Sequence, residues 1–170
     1  KIKEGLKHTN IYNIVIDKKN STVFLKDKDM KLDVGAIAKG YSVEKVMNNN
    51  NILVTRRTAE QKGGLFEATI YKSKLTSGDY QRFYYVGDKA YNHIIDPETG
   101  YPKDKIKSVT VLCKDSGLAD FLSTSLFLMD VEEGKELLKK VDGAEAYWIL
   151  SDGSVHYTEN MEKLIKSKGA

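Results

Sequence analysis

The segment Ser108–Met129 reads SVTVLCKDSGLADFLSTSLFLM and contains the strongest indications of the fold class. Its first part, Ser108–Cys113, is a short apolar run that predicts a strand. Asp115 is the expected N-cap of a helix over 116–129, whose apolar residues cover most of the circumference and predict that it is largely buried. A sheet is therefore expected at the centre, with helices packed against it.

Before and after this segment, short strands and helices follow one another without a regular βαβ order. Three strand pairs are joined by hairpin turns: 11–16 with 22–25, 82–86 with 90–95, and 144–150 with 155–157. Further strands are expected at 52–55, at 65–71 and just before Asp33. Helices are expected at 34–47, 131–141 and 159–166, with a loop over Asn48–Asn51. This order predicts an α+β fold with mixed, mainly antiparallel sheets and packed helices.

The composition limits the kind of protein. The 170 residues, 41% of them apolar and 30% charged, suit a single domain over residues 1–170 with its own core. The formal charge of +3 comes from interspersed signs, so nucleic-acid binding has no support. The single Cys113 excludes an internal disulfide, and no apolar run is long enough for a transmembrane segment.

The segment Leu32–Tyr41, LDVGAIAKGY, is the first of three that suggest chemistry. A strand that ends on Asp33 and turns through Gly35 into a helix would direct free backbone N–H groups at an anion such as a phosphate, and Lys39 would add positive charge. The spacing is not that of a Walker A loop, because the lysine precedes its glycine. The alternative is an ordinary strand-to-helix turn with a surface lysine.

The second segment combines Thr76–Tyr80 with Asn92–Gly100. The polar, glycine-containing stretch Thr76–Tyr80 is typical of a loop. His93 precedes an apolar pair and the turn at Asp96, so a strand end could present it with a carboxylate near enough to orient it. The alternative is a structural histidine.

The third segment is the helix after Asp115, in which polar residues recur at spacings of three and four. Asp120 and Thr124 are direct neighbours on one helical face. A buried carboxylate has to be paired or bound to a metal, and a carboxylate with a hydroxyl suits Mg²⁺ when phosphates and water complete the octahedron. An internal salt bridge or a cap at Asp120 is the alternative.

Four segments in the same order resemble the signature of the ApbE family, the FAD:protein FMN transferases. They are Leu32–Tyr41, Thr76–Tyr80, His93–Pro102 and Ala119–Leu126. The resemblance implies Mg²⁺-dependent transfer of FMN from FAD, through its phosphate, to a Thr or Ser of an acceptor protein. In some members of the family FAD is instead hydrolysed to FMN and AMP.

The resemblance also assigns roles to individual residues. The Ala36 carbonyl and the side chains of Asp120 and Thr124 would hold Mg²⁺, and His93 would be the base. The FAD contacts would be Asp33, Lys39, Thr76, Ser77, Gly78, Asp79 and Ile94. The family implies an extracytoplasmic, lipid-anchored location and leaves a homodimer open.

Two departures from the family pattern concern length. Family members usually run to about twice this length, and their N-terminal half, with much of the flavin pocket, has no counterpart here. The stretch Asn48–Gly64 is also shorter than the corresponding stretch of family members. Weak FAD binding and little transfer by this chain alone are therefore expected, and a non-catalytic flavin- or nucleotide-binding domain, or a scaffold, is the alternative function.

Overall fold

A four-stranded antiparallel sheet lies at the centre of the fold, in the order β3-β6-β7-β8. Its strands are β3 (Ser73–Gly78), β6 (Ile106–Cys113), β7 (Glu145–Leu150) and β8 (Val155–Tyr157). Strand β6 is buried at every position except Lys107, as expected for a central strand. The structure is a computed structural model that describes residues 1–50, 73–78 and 83–165.

The described helices are α1 (Ile2–Gly5), α2 (Gly35–Asn50), α3 (Ser116–Leu128), α4 (Val131–Leu138) and α5 (Glu159–Leu164). Residues of α3 and α4 complete the apolar core beside the sheet. Helix α3 packs against β3 and β6 and also against α2, so it lies at the junction of the sheet and the helices. Its residues Leu122, Leu126 and Phe127 share an apolar cluster with Trp148 of β7. The predicted cap is confirmed, since the Asp115 carboxylate accepts the Leu118 amide at 2.7 Å.

Two hairpins lie outside the central sheet. They are β1 (Ile14–Asp17) with β2 (Thr22–Leu25), and β4 (Phe83–Val86) with β5 (Lys89–Asn92). Gly87 and Gly153 have positive φ angles of 61° and 86° in the second and third predicted hairpin turns, which is why turn residues marked these positions in the sequence. All three predicted hairpins are confirmed, and the α+β class with antiparallel sheets is confirmed with them.

Three local predictions were wrong. Asp33 ends no strand; its carboxylate accepts the Gly35 amide and closes a turn before α2. Helix α2 continues through Asn48–Asn50, because each asparagine lowers helix stability by less than about 0.7 kcal/mol and the preceding turns propagate. Thr76–Gly78 belong to β3 rather than to a loop, since they pair with Ser108–Thr110 of β6. The strands predicted at 52–55 and 65–71 lie outside the described residues.

The burial of α3 also differs from the prediction. Leu118 and Phe121 are 37% and 50% exposed, whereas the polar residues Ser116, Asp120 and Ser123 are buried. The exposed side of α3 is therefore partly apolar, and its polar stripe faces the protein. In the part of the chain that the structure describes, no helix has the length and apolar character needed to cross a membrane.

Candidate functional site

The polar stripe of α3 meets α2 at a contact that only glycine allows. A Cβ placed on Gly40 would lie 2.0 Å from the Ser116 carbonyl oxygen and 2.6 Å from the Asp120 Cβ. Gly117 makes the reciprocal approach, because a Cβ there would lie 3.3 Å from the Tyr41 Cα. The absence of side chains at these positions lets the two helix backbones touch.

Hydrogen bonds across this contact fix the register of the two helices. The Gly40 amide donates to Asp120 Oδ2 at 2.8 Å, and Glu44 Oε2 accepts the Ser116 amide at 2.9 Å. The two helices are therefore antiparallel, and Gly40 contacts both Ser116 and Asp120, which lie one turn apart on α3. Ala36 lies one turn before Gly40 in α2, and Thr124 lies one turn after Asp120 in α3.

Asp120 is a charged residue at this helix contact. Its side chain is only 5% exposed, and among the described residues its hydrogen bond comes from the uncharged Gly40 amide rather than from a cation. In a regular helix the Gly40 amide would donate to the Ala36 carbonyl, so the Asp120 carboxylate reaches the same turn of α2 as that carbonyl. A buried carboxylate is stabilised by a counter-charge, and these donor oxygens are of the kind that Mg²⁺ binds. The residues present fit a magnesium ion.

The hydroxyl groups beside Asp120 are bonded within α3. Ser123 Oγ donates to the Asp120 carbonyl oxygen at 2.9 Å, and Thr124 Oγ1 lies 3.5 Å from the same oxygen. The Thr124 contact is at the long limit of a hydrogen bond, so this hydroxyl can turn to another partner at little cost.

The start of α2 is shaped by Asp33. Its Oδ1 accepts the Gly35 amide at 2.7 Å, and the Val34 carbonyl oxygen accepts the amides of Ile37 and Ala38. A carboxylate of the chain thus already bonds one of the amides expected to face an anion. Lys39 is exposed on the same helix. The FAD contacts of Asp33 and Lys39 stay predictions.

His93 lies on a compact loop after β5. The loop alternates in burial, with Asn92, Ile94 and Asp96 buried and His93 exposed. Asn92 holds the loop by donating to the Lys103 carbonyl oxygen at 2.7 Å and accepting the Ile94 amide at 2.9 Å. The Ile94 side chain lies in the same apolar cluster as Ala119 and Leu122 of α3. The loop therefore presents His93 at the surface and is anchored to the core that carries the polar stripe.

Asp96, the carboxylate expected to orient His93, has partners within its own loop. It accepts the Glu98 amide at 2.8 Å and lies 3.4 Å from the Lys103 ammonium group. The hydrogen bond from Glu98 is the main cause that holds the pKa of Asp96 below its usual value, and Lys103 adds to it. Asp96 thus stabilises the turn after His93.

The remaining predicted FAD contacts fall on β3 and beyond it. Thr76, Ser77 and Gly78 lie on β3, which packs against α3 and is the outermost strand of the sheet among the described residues. Asp79 lies outside the described residues. The Ile94 side chain is used by the core, so only its backbone remains for a ligand, and this contact also stays a prediction.

A further group of potential ligands was missed by the sequence reasoning. His8 Nδ1 lies 2.8 Å from Asp27 Oδ2, and ligand atoms of His8, Asp27 and Asp29 all lie within 4.8 Å of one another. The Asp29 amide, followed by His8, lowers the pKa of Asp27. A separation of 19 residues between His8 and Asp27 follows no local period, so the sequence contained no signal for this pair. The pair ties the short 3₁₀ helix Leu6–His8 to the loop after β2.

Comparison with known proteins agrees with the motifs. The model of the ApbE family matches residues 1–50 and 51–148. The chain belongs to the ApbE family. A FAD:protein FMN transferase of Klebsiella pneumoniae (strain 342) is 30% identical over 178 residues, which cover 91% of this chain and 56% of that protein. One from Treponema pallidum (strain Nichols) is 30% identical over 172 residues, with 79% and 48% covered. The ApbE chain thus spans about half the length of these curated relatives.

Two solved structures of ApbE proteins are similar to this chain. The crystal structure of the ApbE protein from Thermotoga maritima matches with a TM-score of 0.79 and 28% identity, covering 98% of this chain and 63% of that one. The flavin transferase ApbE from Vibrio cholerae matches with a TM-score of 0.71 and 23% identity, covering 95% and 61%, and supports the fold alone. The expected ApbE-like α+β fold is therefore confirmed.

Proposed function

We propose that this ApbE chain carries the cation- and phosphate-binding part of a FAD:protein FMN transferase, which moves FMN from FAD to a Thr or Ser of an acceptor protein. The single observation that carries the proposal is the hydrogen bond between the Gly40 amide and Asp120. It brings a buried carboxylate to the first turns of α2, where the Ala36 carbonyl and Lys39 also lie. This arrangement supports the proposal of a cation next to a phosphate.

The proposed cation is Mg²⁺, held by the Ala36 carbonyl and the side chains of Asp120 and Thr124. When bound, Mg²⁺ would neutralise negative charge on the diphosphate of FAD. The burial of Asp120, with a neutral amide as its partner among the described residues, supports this assignment, because such a carboxylate is stabilised by a counter-charge. Lys39, exposed on α2, would add charge on the phosphate side.

The proposed transfer is a substitution at phosphorus. The hydroxyl oxygen of the acceptor forms a bond to the phosphorus of the FMN half, the bond from that phosphorus to the bridging oxygen breaks, and AMP leaves. A ring nitrogen of His93 takes the hydroxyl proton as the bond forms. The exposed position of His93 on an anchored loop suits an acceptor that arrives from solvent as part of another protein. With water in place of the acceptor, the same substitution gives FMN and AMP.

A second candidate is a flavin- or nucleotide-binding domain without transfer activity. Such a domain would bind FAD without forming either product. The extracytoplasmic, lipid-anchored location and a homodimer are proposals that rest on the family resemblance.

The test of this function follows both products. The chain is incubated with FAD, Mg²⁺ and an acceptor protein that carries the flavinylation threonine, and protein-bound flavin fluorescence and released AMP are measured. Equal amounts of bound flavin and AMP are expected, slowly and only with Mg²⁺. An acceptor whose threonine is replaced by alanine is the control. AMP without bound flavin would indicate hydrolysis, and FAD binding without either product would support the non-catalytic alternative.

A further inference from the structure

Two residues outside the predicted cation site hold α3 against α2. Ser116 Oγ lies 2.7 Å from the Gly40 carbonyl oxygen, to which it donates, and 3.0 Å from Glu44 Oε2. Glu44 Oε2 also accepts the Ser116 amide at 2.9 Å. Ser116 is buried and Glu44 is partly buried, so these hydrogen bonds are shielded from water.

We propose that Ser116 and Glu44 are positioning residues for the cation site, acting through Asp120. This inference rests on the proposed function. Ser116 Oγ donates to the Gly40 carbonyl oxygen and the Gly40 amide donates to Asp120, so Ser116 and Asp120 bond to the same residue of α2. Glu44, one turn after Gly40, accepts the Ser116 amide and holds Ser116 in place. Loss of these bonds would change where the Gly40 amide meets the Asp120 carboxylate.

Within the described residues, apolar burial contributes little to the docking of α2. From residue 35 to residue 46, Gly40 is the single buried position, and the apolar side chains of Ile37, Tyr41 and Val43 are exposed. The polar contacts with α3 hold the Gly40 amide beside the Asp120 carboxylate.

A simple helix-capping role is the competing explanation, and the chain offers a matched control for it. Asp115 also accepts an amide of the first turn of α3, that of Leu118, but it makes this bond within α3 rather than to α2. Asp115→Ala should therefore weaken the start of α3 without changing the register of α2 and α3. Ser116→Ala and Glu44→Ala should change that register as well.

The experiment measures the rise in melting temperature of the chain as Mg²⁺ is added, and the Mg²⁺ concentration at half of that rise. We expect Ser116→Ala and Glu44→Ala to raise this concentration about 10-fold or more, the usual effect of removing groups that orient metal ligands. Glu44→Gln, which keeps an acceptor oxygen for the Ser116 amide, should stay close to wild type. Asp115→Ala should lower the melting temperature without metal and keep the wild-type Mg²⁺ concentration. Titration with Mn²⁺ by calorimetry should give the same ranking.

The outcomes separate this inference from the proposed function. If Ser116→Ala and Glu44→Ala lower the melting temperature and keep the wild-type Mg²⁺ concentration, they are capping residues and the positioning role is wrong, while the cation site stands. If the wild-type chain shows no response to Mg²⁺ or Mn²⁺, both the site and the positioning role are wrong. If Ser116→Ala does not fold, the two Glu44 variants decide, because Glu44 is only partly buried.

Discussion

Gly40→Ala is the substitution that tests the helix contact most directly. The added Cβ would lie 2.0 Å from the Ser116 carbonyl oxygen, about 1.4 Å short of the 3.4 Å at which ordinary van der Waals contact begins. That oxygen is backbone and cannot turn away, so α2 and α3 have to separate. A displacement of this size stretches the bonds from the Gly40 amide to Asp120 and from Ser116 Oγ to the Gly40 carbonyl beyond hydrogen-bonding distance.

The change in the free energy of unfolding is the cost of the lost hydrogen bonds minus the gain in helix propensity. Each lost hydrogen bond that leaves a buried polar group without a partner costs about 1–3 kcal/mol. Replacing glycine by alanine inside a helix returns about 1 kcal/mol through helix propensity. The net loss is about 3 kcal/mol, which for a domain of this size lowers the melting temperature by about 6–12 °C.

Thermal unfolding followed by far-UV circular dichroism measures this loss, and fluorescence of the single Trp148, fully buried in the core, gives a second probe. Gly5→Ala is the matched control, because Gly5 has a helical backbone and a Cβ there would meet nothing within 4 Å. Gly5→Ala should leave the melting temperature unchanged or raise it slightly. A Gly40→Ala chain that melts at or above the wild-type temperature would refute the close contact and the register derived from it.

Three further predictions concern the site and its loop. Asp120→Ala and Asp120→Asn should both abolish the Mg²⁺-dependent rise in melting temperature. Only Asp120→Asn keeps an acceptor for the Gly40 amide, so only this variant should keep the wild-type stability without metal. An unchanged Mg²⁺ response would contradict the cation assignment. His93→Ala should slow flavin transfer about 10²- to 10⁴-fold while the melting temperature stays constant, and an unchanged transfer rate would exclude His93 as the base. The Glu98 amide and Lys103 hold the pKa of Asp96 below its usual value of 3.8. The ionised Asp96 carboxylate therefore stabilises the folded state fully above pH 3.8, and this stabilisation is lost as the pH falls through the folded-state pKa. Asp96→Asn should therefore reduce the dependence of the melting temperature on pH between about pH 5 and pH 2, and an unchanged acid profile would contradict this role.

The hairpins were predictable because their signals are local. Turn residues with a preference for positive φ lie between strands of similar length, and Gly87 and Gly153 occupy such positions in the structure. The N-cap at Asp115 is equally local, since the acceptor and the Leu118 amide are three residues apart. For these elements the sequence window contains both partners of each interaction.

The strand at Thr76–Gly78 was predicted wrongly because it depends on a distant partner. These residues form a strand only because β6 pairs with them, about 30 residues later in the chain. The polar spacing of Asp120 and Thr124 was visible, but not what it faces, because Gly40 and Glu44 lie 80 and 72 residues from their partners Asp120 and Ser116. Glu44 was missed for this reason, although its i, i+4 relation to Gly40 was present in the sequence.

The polar stripe of α3 is difficult to explain by stability alone. Ser116 and Ser123 are buried but have hydrogen-bond partners, so they contribute little net free energy. Asp120 differs, because a buried carboxylate whose described partner is a neutral amide is less favourable than an apolar residue of similar volume. A cation bound at this carboxylate would remove that disadvantage, and its stabilisation of the folded state would rise with the logarithm of its concentration above the dissociation constant. The unfavourable residue therefore lies where ligand binding would compensate for it, and where the two helices have little apolar contact to hold them together.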